Sequence, residues 1–146
     1  MMKRMTLPAS IDELSYVNSV LKSTLTGDLE PLLLKTQLVV EELLTNVVNY
    51  AYKGKSGGTA EFICGTATFD SRQMVQLTII DQGSPYDPFI EVGEPDISAD
   101  LDERAVGGLG IFLVKEIATH YAYCRLEDRN MVTIYIDPKA PQDAAS

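Results

Sequence analysis

One long stretch, residues 31–52, constrains the fold of this 146-residue chain more than any other. Its leucines and valines recur every three to four residues, a spacing that predicts a long α-helix with a broad apolar face. Glu42 and Asn46 lie one turn apart on this helix, among apolar neighbours. Burying a carboxylate and an amide there is costly unless other groups pair with them. The pair is therefore either a solvated flank of the helix or part of a binding site.

Composition and charge indicate one ordinary globular domain. The hydrophobic fraction is 45%, and the length is typical of a single domain. The net charge of −9 disfavours direct binding to nucleic acid or to an anionic membrane surface. No apolar run reaches transmembrane length and no signal peptide is evident, which predicts a cytoplasmic protein. Cys64 and Cys124 lack metal-ligand spacing, so both are predicted to be buried core residues.

The remaining chain alternates between strand and helix patterns. Strands are predicted at residues 3–8, 59–70, 74–81, 121–127 and 131–137. A short amphipathic helix is expected at 111–120, a lid rich in proline and acids at about 84–106, and a loose tail at 139–146. We expect a single domain, residues 1–146, with an α/β (α+β) two-layer sandwich fold. Its sheet should be mixed but mostly antiparallel, with helices on one face.

Three short motifs fall on these predicted elements. They are Glu42-x-x-x-Asn46 on the long helix, Asp81-x-Gly83 with the following Tyr86-Asp87-Pro88 after a buried strand, and Gly107-Gly108-Leu109-Gly110 before the last helix. Each motif alone is common, since glycine pairs often mark turns and Asp-x-Gly often ends a strand. Their combination, in this order and on these elements, is a specific signal.

The motifs resemble the N box and the two glycine boxes of the GHKL superfamily. This superfamily shares the ATP-binding fold of histidine kinases, gyrase-type ATPases and bacterial anti-sigma-factor kinases. The resemblance covers nearly the whole chain and is closest to the small RsbW-type serine-protein kinases. It implies a Bergerat-type fold and an ATP-dependent serine/threonine-protein kinase. It also implies an anti-sigma-factor antagonist as phosphorylated partner, a sigma factor as sequestered partner, and homodimerisation.

The resemblance further assigns roles to individual residues. Asp81 would accept a hydrogen bond from the adenine amino group, and Gly83 would let the backbone approach the base. Asn46 would offer its carbonyl oxygen to a Mg²⁺ ion that bridges the phosphates of ATP. Glu42 would act as general base on the incoming hydroxyl. The other positions implied to contact the nucleotide are Tyr86, Arg104, Gly107, Gly108, Leu109, Gly110 and Thr133.

Two alternative functions stay open at this point. The site could bind ATP without phosphoryl transfer, with the lid signalling nucleotide state to a partner protein. The chain could also be the detached catalytic half of a histidine kinase, although its short length and the residues of its glycine boxes disfavour this. Tyr50 stands where the N box of close relatives often carries histidine, so no role is assigned to it.

Overall fold

The computed structural model describes residues 2–91 and 108–138. The described strands are β1 (Met2–Pro8), β2 (Thr59–Phe69), β3 (Arg72–Asp81), β4 (His120–Leu126) and β5 (Arg129–Ile136). The described α-helices are α1 (Leu14–Thr24), α2 (Leu33–Asn46), α3 (Pro88–Glu91) and α4 (Gly108–Ile117). Short 3-10 turns, Ile11–Glu13 and Gly27–Leu32, precede α1 and α2, and a π-helical turn, Val47–Ala51, follows α2.

The five described strands form one sheet in the order β1-β2-β3-β5-β4. All pairings between these strands are antiparallel. The predicted sandwich fold is therefore confirmed, but the parallel pair that a mixed sheet requires is not found among the described strands. The reason is that β4, which runs parallel to β3, lies at the sheet edge with β5 inserted between them.

One face of the sheet packs against the helices. Phe62, Leu77 and Ile134, on the three central strands, have no exposed surface and point to the same face by strand alternation. Residues of α1, α2 and α4 join them in a single hydrophobic core. Those helix residues are Val17, Leu21, Val39, Val40, Leu43, Leu44, Ile111 and Val114.

The long predicted helix changes its hydrogen-bonding pattern twice. Residues Gly27–Leu32 form a 3-10 turn, so α2 itself begins at Leu33. At the other end the backbone N–H of Tyr52 donates to the carbonyl of Val47, five residues earlier, at 2.9 Å. Single π-helical turns of this kind are frequent at functional sites.

Both hairpin turns are shorter than the sequence predicts. Asp70 and Ser71 form one turn, Glu127 and Asp128 form the other, and all four residues have φ between 51° and 65°. These are two-residue turns whose twist matches the flanking strands. Because β5 consequently begins at Arg129, Asn130 belongs to the strand instead of the turn.

The two cysteines lie in different environments. Cys64 is buried as predicted, but Cys124 is exposed, because it lies on the edge strand β4.

Part of the expected lid forms α3, and Phe89 of that helix reaches the core. The rest of the expected lid, residues 92–106, lies outside the described residues, as does the predicted tail, residues 139–146. None of the described helices is long and apolar enough to cross a membrane.

Replacing Phe62 by alanine is expected to destabilise the fold by about 3–5 kcal/mol, because Phe62 is fully buried and its removal leaves a cavity. Phe69→Ala is the control. Phe69 is 47% exposed and keeps only an edge-on ring contact with Tyr135, so its loss should cost about 1 kcal/mol. Urea unfolding followed by circular dichroism measures both. Equal destabilisation by the two changes would contradict the assigned core.

Candidate functional site

A pocket of about 320 Å³ opens between the end of α2, the end of β3 and the start of β5. Most of its wall is apolar, and a few polar side chains reach it, which is typical of small-ligand sites. The lining residues are Leu43, Asn46, Val47, Ala51, Ile79, Asp81, Tyr86, Pro88, Asn130 and Val132. The fold thus brings the predicted site residues to one cavity from two separate parts of the chain, with Asn46 on α2, and Asp81 and Tyr86 at the end of β3 and in the loop after it.

Asp81 is the buried charged group of this pocket. It ends β3 and is only 4% exposed. Its Oδ1 accepts hydrogen bonds from the backbone N–H of Gly83 and from Nδ2 of Asn130, both at 2.8 Å. Its Oδ2 accepts none from the described residues, and the residue lines the pocket. Burial raises the pKa of Asp81, while the two hydrogen bonds and the positive charge of Arg125 oppose that rise.

Gly83 lies where the loop after β3 touches the π-helical turn. A β-carbon at this position would come within 2.5 Å of the carbonyl oxygen of Ala51. The next residue, Ser84, donates its backbone N–H to the same oxygen at 2.8 Å. Only glycine permits this approach, which closes one wall of the pocket.

Asn46 offers a polar side chain to the pocket. The residue is 6% exposed and lines the pocket, and its side-chain amide makes no hydrogen bond with the described residues. The amide can therefore form hydrogen bonds with a ligand in the pocket.

Glu42 lies one turn before Asn46 and reaches the start of α4. Its Oε2 occupies the space that a β-carbon on Gly110 would need, so glycine is required there while Glu42 holds this position. Burial, and secondarily the charge of Glu41, raise the pKa of Glu42. Gly108 and Leu109 form the first turn of α4, whose free backbone N–H groups favour anions.

Two aromatic rings lie beside the pocket. Tyr50, on the π-helical turn, stacks on Tyr86 with ring centroids 4.9 Å apart and an interplanar angle of 12°. The π-helical turn sets this position of Tyr50, and no local sequence signal predicts that turn. The role of Tyr50 is therefore partly answered, because its ring supports a residue of the pocket wall.

Thr133 does not belong to the site. Its hydroxyl faces that of Thr78 at 3.3 Å, while the neighbouring Val132 lines the pocket. Successive residues of a strand point to opposite faces, so Thr133 lies on the face away from Asp81. The expectation that it contacts the nucleotide is wrong for this reason. Arg104 and Gly107 lie outside the described residues.

Asn130 escapes prediction from the sequence, because the pattern assigns it to a turn. It is 2% exposed and stands directly opposite Asp81 in the register of β3 and β5. A usable signal does exist. Side chains two residues apart on a strand point to the same face. Asn130 therefore lies on the same face of β5 as the buried Val132, toward the core.

Residues 7–136 match the model of the histidine kinase-like ATPase domain, and the chain belongs to this family. The expected membership of the GHKL group is thereby confirmed.

Several relatives are serine-protein kinases named RsbW. The chain is 27% identical over 115 residues to the one from Listeria monocytogenes, with 75% of this chain and 69% of the relative covered. It is 29% identical over 122 residues to the one from Staphylococcus epidermidis, covering 77% and 72%. With the Bacillus pumilus protein it shares 29% identity over 84 residues, and this match spans about half of that relative, 51%.

A solved structure supports the fold. The histidine kinase domain of the Erythrobacter litoralis EL346 blue-light-activated kinase superposes with a TM-score of 0.50 at 16% identity. The match covers 90% of this chain and 62% of that chain. At this identity the likeness establishes a common fold.

Asp81→Asn is expected to stabilise the protein without nucleotide, increasingly so as pH rises from about 4. The folded state raises the pKa of Asp81, so ionisation above the ordinary aspartate pKa destabilises the wild type. Asparagine keeps the size and the acceptor oxygen but does not titrate. Urea unfolding of both proteins at several pH values measures the difference. A difference that stays constant or shrinks with rising pH would contradict this assignment.

Proposed function

We propose that this chain is an ATP-dependent protein-serine/threonine kinase that acts as an anti-sigma regulatory factor. It would phosphorylate an anti-sigma-factor antagonist and sequester a sigma factor, as its resemblance to RsbW-type kinases implies. Family membership and the names of the relatives support the kinase chemistry. One observation carries the proposal: the buried carboxylate of Asp81 has one oxygen that accepts no hydrogen bond from the described residues, in an apolar pocket that the side chain of Asn46 also lines.

The pocket suits the adenine ring of ATP. Ile79 and Val132 supply apolar wall, and Oδ2 of Asp81 can accept a hydrogen bond from the exocyclic amino group. Guanine carries a carbonyl oxygen at that position and would set two acceptors against each other. A hydrogen bond to a charged, buried acceptor contributes about 1.5–3 kcal/mol, enough to select ATP over GTP.

The phosphates would extend toward Glu42 and the start of α4. Asn46 offers a carbonyl oxygen, a hard ligand that suits Mg²⁺. Such an ion would also be held by the nucleotide phosphates and by water. When bound, Mg²⁺ would neutralise part of the phosphate charge, which would help a chain of net charge −9 to bind a polyanion.

Glu42 is the proposed general base. It would take the proton of a serine or threonine hydroxyl, whose oxygen then attacks the γ-phosphorus while ADP leaves. Its raised pKa brings it closer to the range in which a carboxylate works as a base near neutral pH. The carboxylate lies beside Gly110, in the first turn of α4, near the helix terminus at which the phosphates would bind.

The wild type should bind Mg-ATP and discriminate against GTP, and Asp81→Asn should weaken ATP binding by about tenfold or more. The variant presents an amide N–H₂ where the adenine amino group needs an acceptor. Isothermal titration calorimetry with both nucleotides measures this. Failure of the wild type to bind either nucleotide at millimolar concentration would overturn the proposal.

Glu42→Gln should lower phosphoryl transfer about 100-fold or more while nucleotide affinity is retained, because only the base is removed. The assay follows label from radiolabelled ATP to a purified anti-sigma-factor antagonist from the same organism. Unchanged transfer would exclude Glu42 as the base, and the absence of any transfer by the wild type would favour a non-catalytic ATP switch. An acid-labile product would instead indicate a histidine kinase.

A further inference from the structure

The side chain of Asn130 uses its full hydrogen-bonding capacity beneath the pocket. Its Nδ2 donates to Oδ1 of Asp81 and to the backbone carbonyl of Ser84, both at 2.8 Å. Its Oδ1 accepts from the backbone N–H of Tyr86 at 3.2 Å and from the hydroxyl of Tyr123 at 2.5 Å. A primary amide has two donors and two acceptor sites, and all four are occupied here.

The neighbours decide which way this amide points. The backbone N–H of Tyr86 can only donate and the carbonyl of Ser84 can only accept. A reversed amide would set donor against donor and acceptor against acceptor. The amino end of Asn130 is therefore forced toward Asp81, and the orientation follows from backbone groups.

This orientation controls the carboxylate of Asp81. Asn130 and the backbone N–H of Gly83 both bind Oδ1, so the other oxygen faces the pocket. Arg125 stands opposite Asn130 on β4 and donates to the carbonyl of Gly83 at 2.8 Å. Two adjacent strands thus hold both Asp81 and the loop that follows it.

We propose that Asn130, held in place in part by the hydrogen bond from Tyr123, is the positioning residue for base recognition in this pocket. It determines which oxygen of Asp81 meets the exocyclic amino group of adenine, and it anchors the loop that carries Tyr86. The inference rests on the proposed ATP-binding function. It adds that Asn130, which does not touch the base, determines base selectivity through Asp81, which does.

Asn130→Asp is the sharpest test, because it keeps the shape of the side chain and the acceptor end but removes the amino donor. An ionised aspartate would set an acceptor against Asp81 and against the carbonyl of Ser84. At about pH 8 we expect ATP affinity to fall about tenfold or more, with the preference for ATP over GTP reduced.

The pH dependence separates positioning from general structural support. As pH falls toward about 5, the paired carboxylates at 81 and 130 share a proton, which restores a donor between them. The ratio of the ATP affinity of Asn130→Asp to that of the wild type, measured at each pH, should therefore rise as pH falls. Arg125, Tyr123 and Asp87 are the other ionisable groups around this cluster, and both proteins carry them. The titration of ATP itself cancels in the same ratio.

Tyr123→Phe gives a milder variant, which serves if Asn130→Asp fails to fold. It removes one hydrogen bond to Oδ1 of Asn130 and keeps the ring, so ATP affinity should fall about three- to tenfold. Tyr121→Phe is the matched control. Tyr121 lies on the same strand and face, packs against Phe89, and its hydroxyl makes no hydrogen bond with the described residues. The ATP affinity of Tyr121→Phe should equal that of the wild type.

Calorimetric titration with Mg-ATP and Mg-GTP, on all four proteins after thermal unfolding controls, decides the matter. Wild-type affinity and selectivity in Tyr123→Phe, or an affinity ratio for Asn130→Asp that does not change with pH, would overturn the positioning role alone. If the wild type itself fails to bind ATP, the proposed function falls and this inference falls with it.

Discussion

The buried carboxylate of Asp81 is the group on which the rest of the site depends. Burial by itself favours the neutral acid, and the fold opposes this with two hydrogen bonds to one oxygen and a nearby guanidinium. Those groups come from the loop after β3, from β5 and from β4. A charge that is costly to bury, and that so many elements support, is better explained by binding than by stability.

The helix α2 links this carboxylate to the other end of the site. Its apolar side chains enter the core, while Glu42 reaches Gly110 of α4 and Asn46 lines the pocket. The π-helical turn that follows brings Ala51 against Gly83 and Ser84. The continuous segment of α2 and the π-helical turn therefore contacts both the loop after β3 and the first turn of α4. Its packing in the core thus also sets the position of that loop relative to α4.

Most of the fold can be predicted from the sequence because its signals are local. Alternation along the strands and the helical period of α2 and α4 identify the layers, and the order of the three motifs identifies the family. The errors also have a local origin. Thr133 is misplaced because a one-residue step along a strand changes the face. Asn130 is missed because a two-residue turn resembles a longer one in sequence.

The sequence by itself determined the two-layer fold, the family and the identity of Glu42, Asn46, Asp81 and the glycines as candidate site residues. Only the tertiary structure decided how they work together. The register of β3 and β5 places Asn130 against Asp81, and the packing of α2 on α4 places Glu42 over Gly110. Both pairings join residues far apart in the chain, and such contacts depend on how the elements pack rather than on any local pattern.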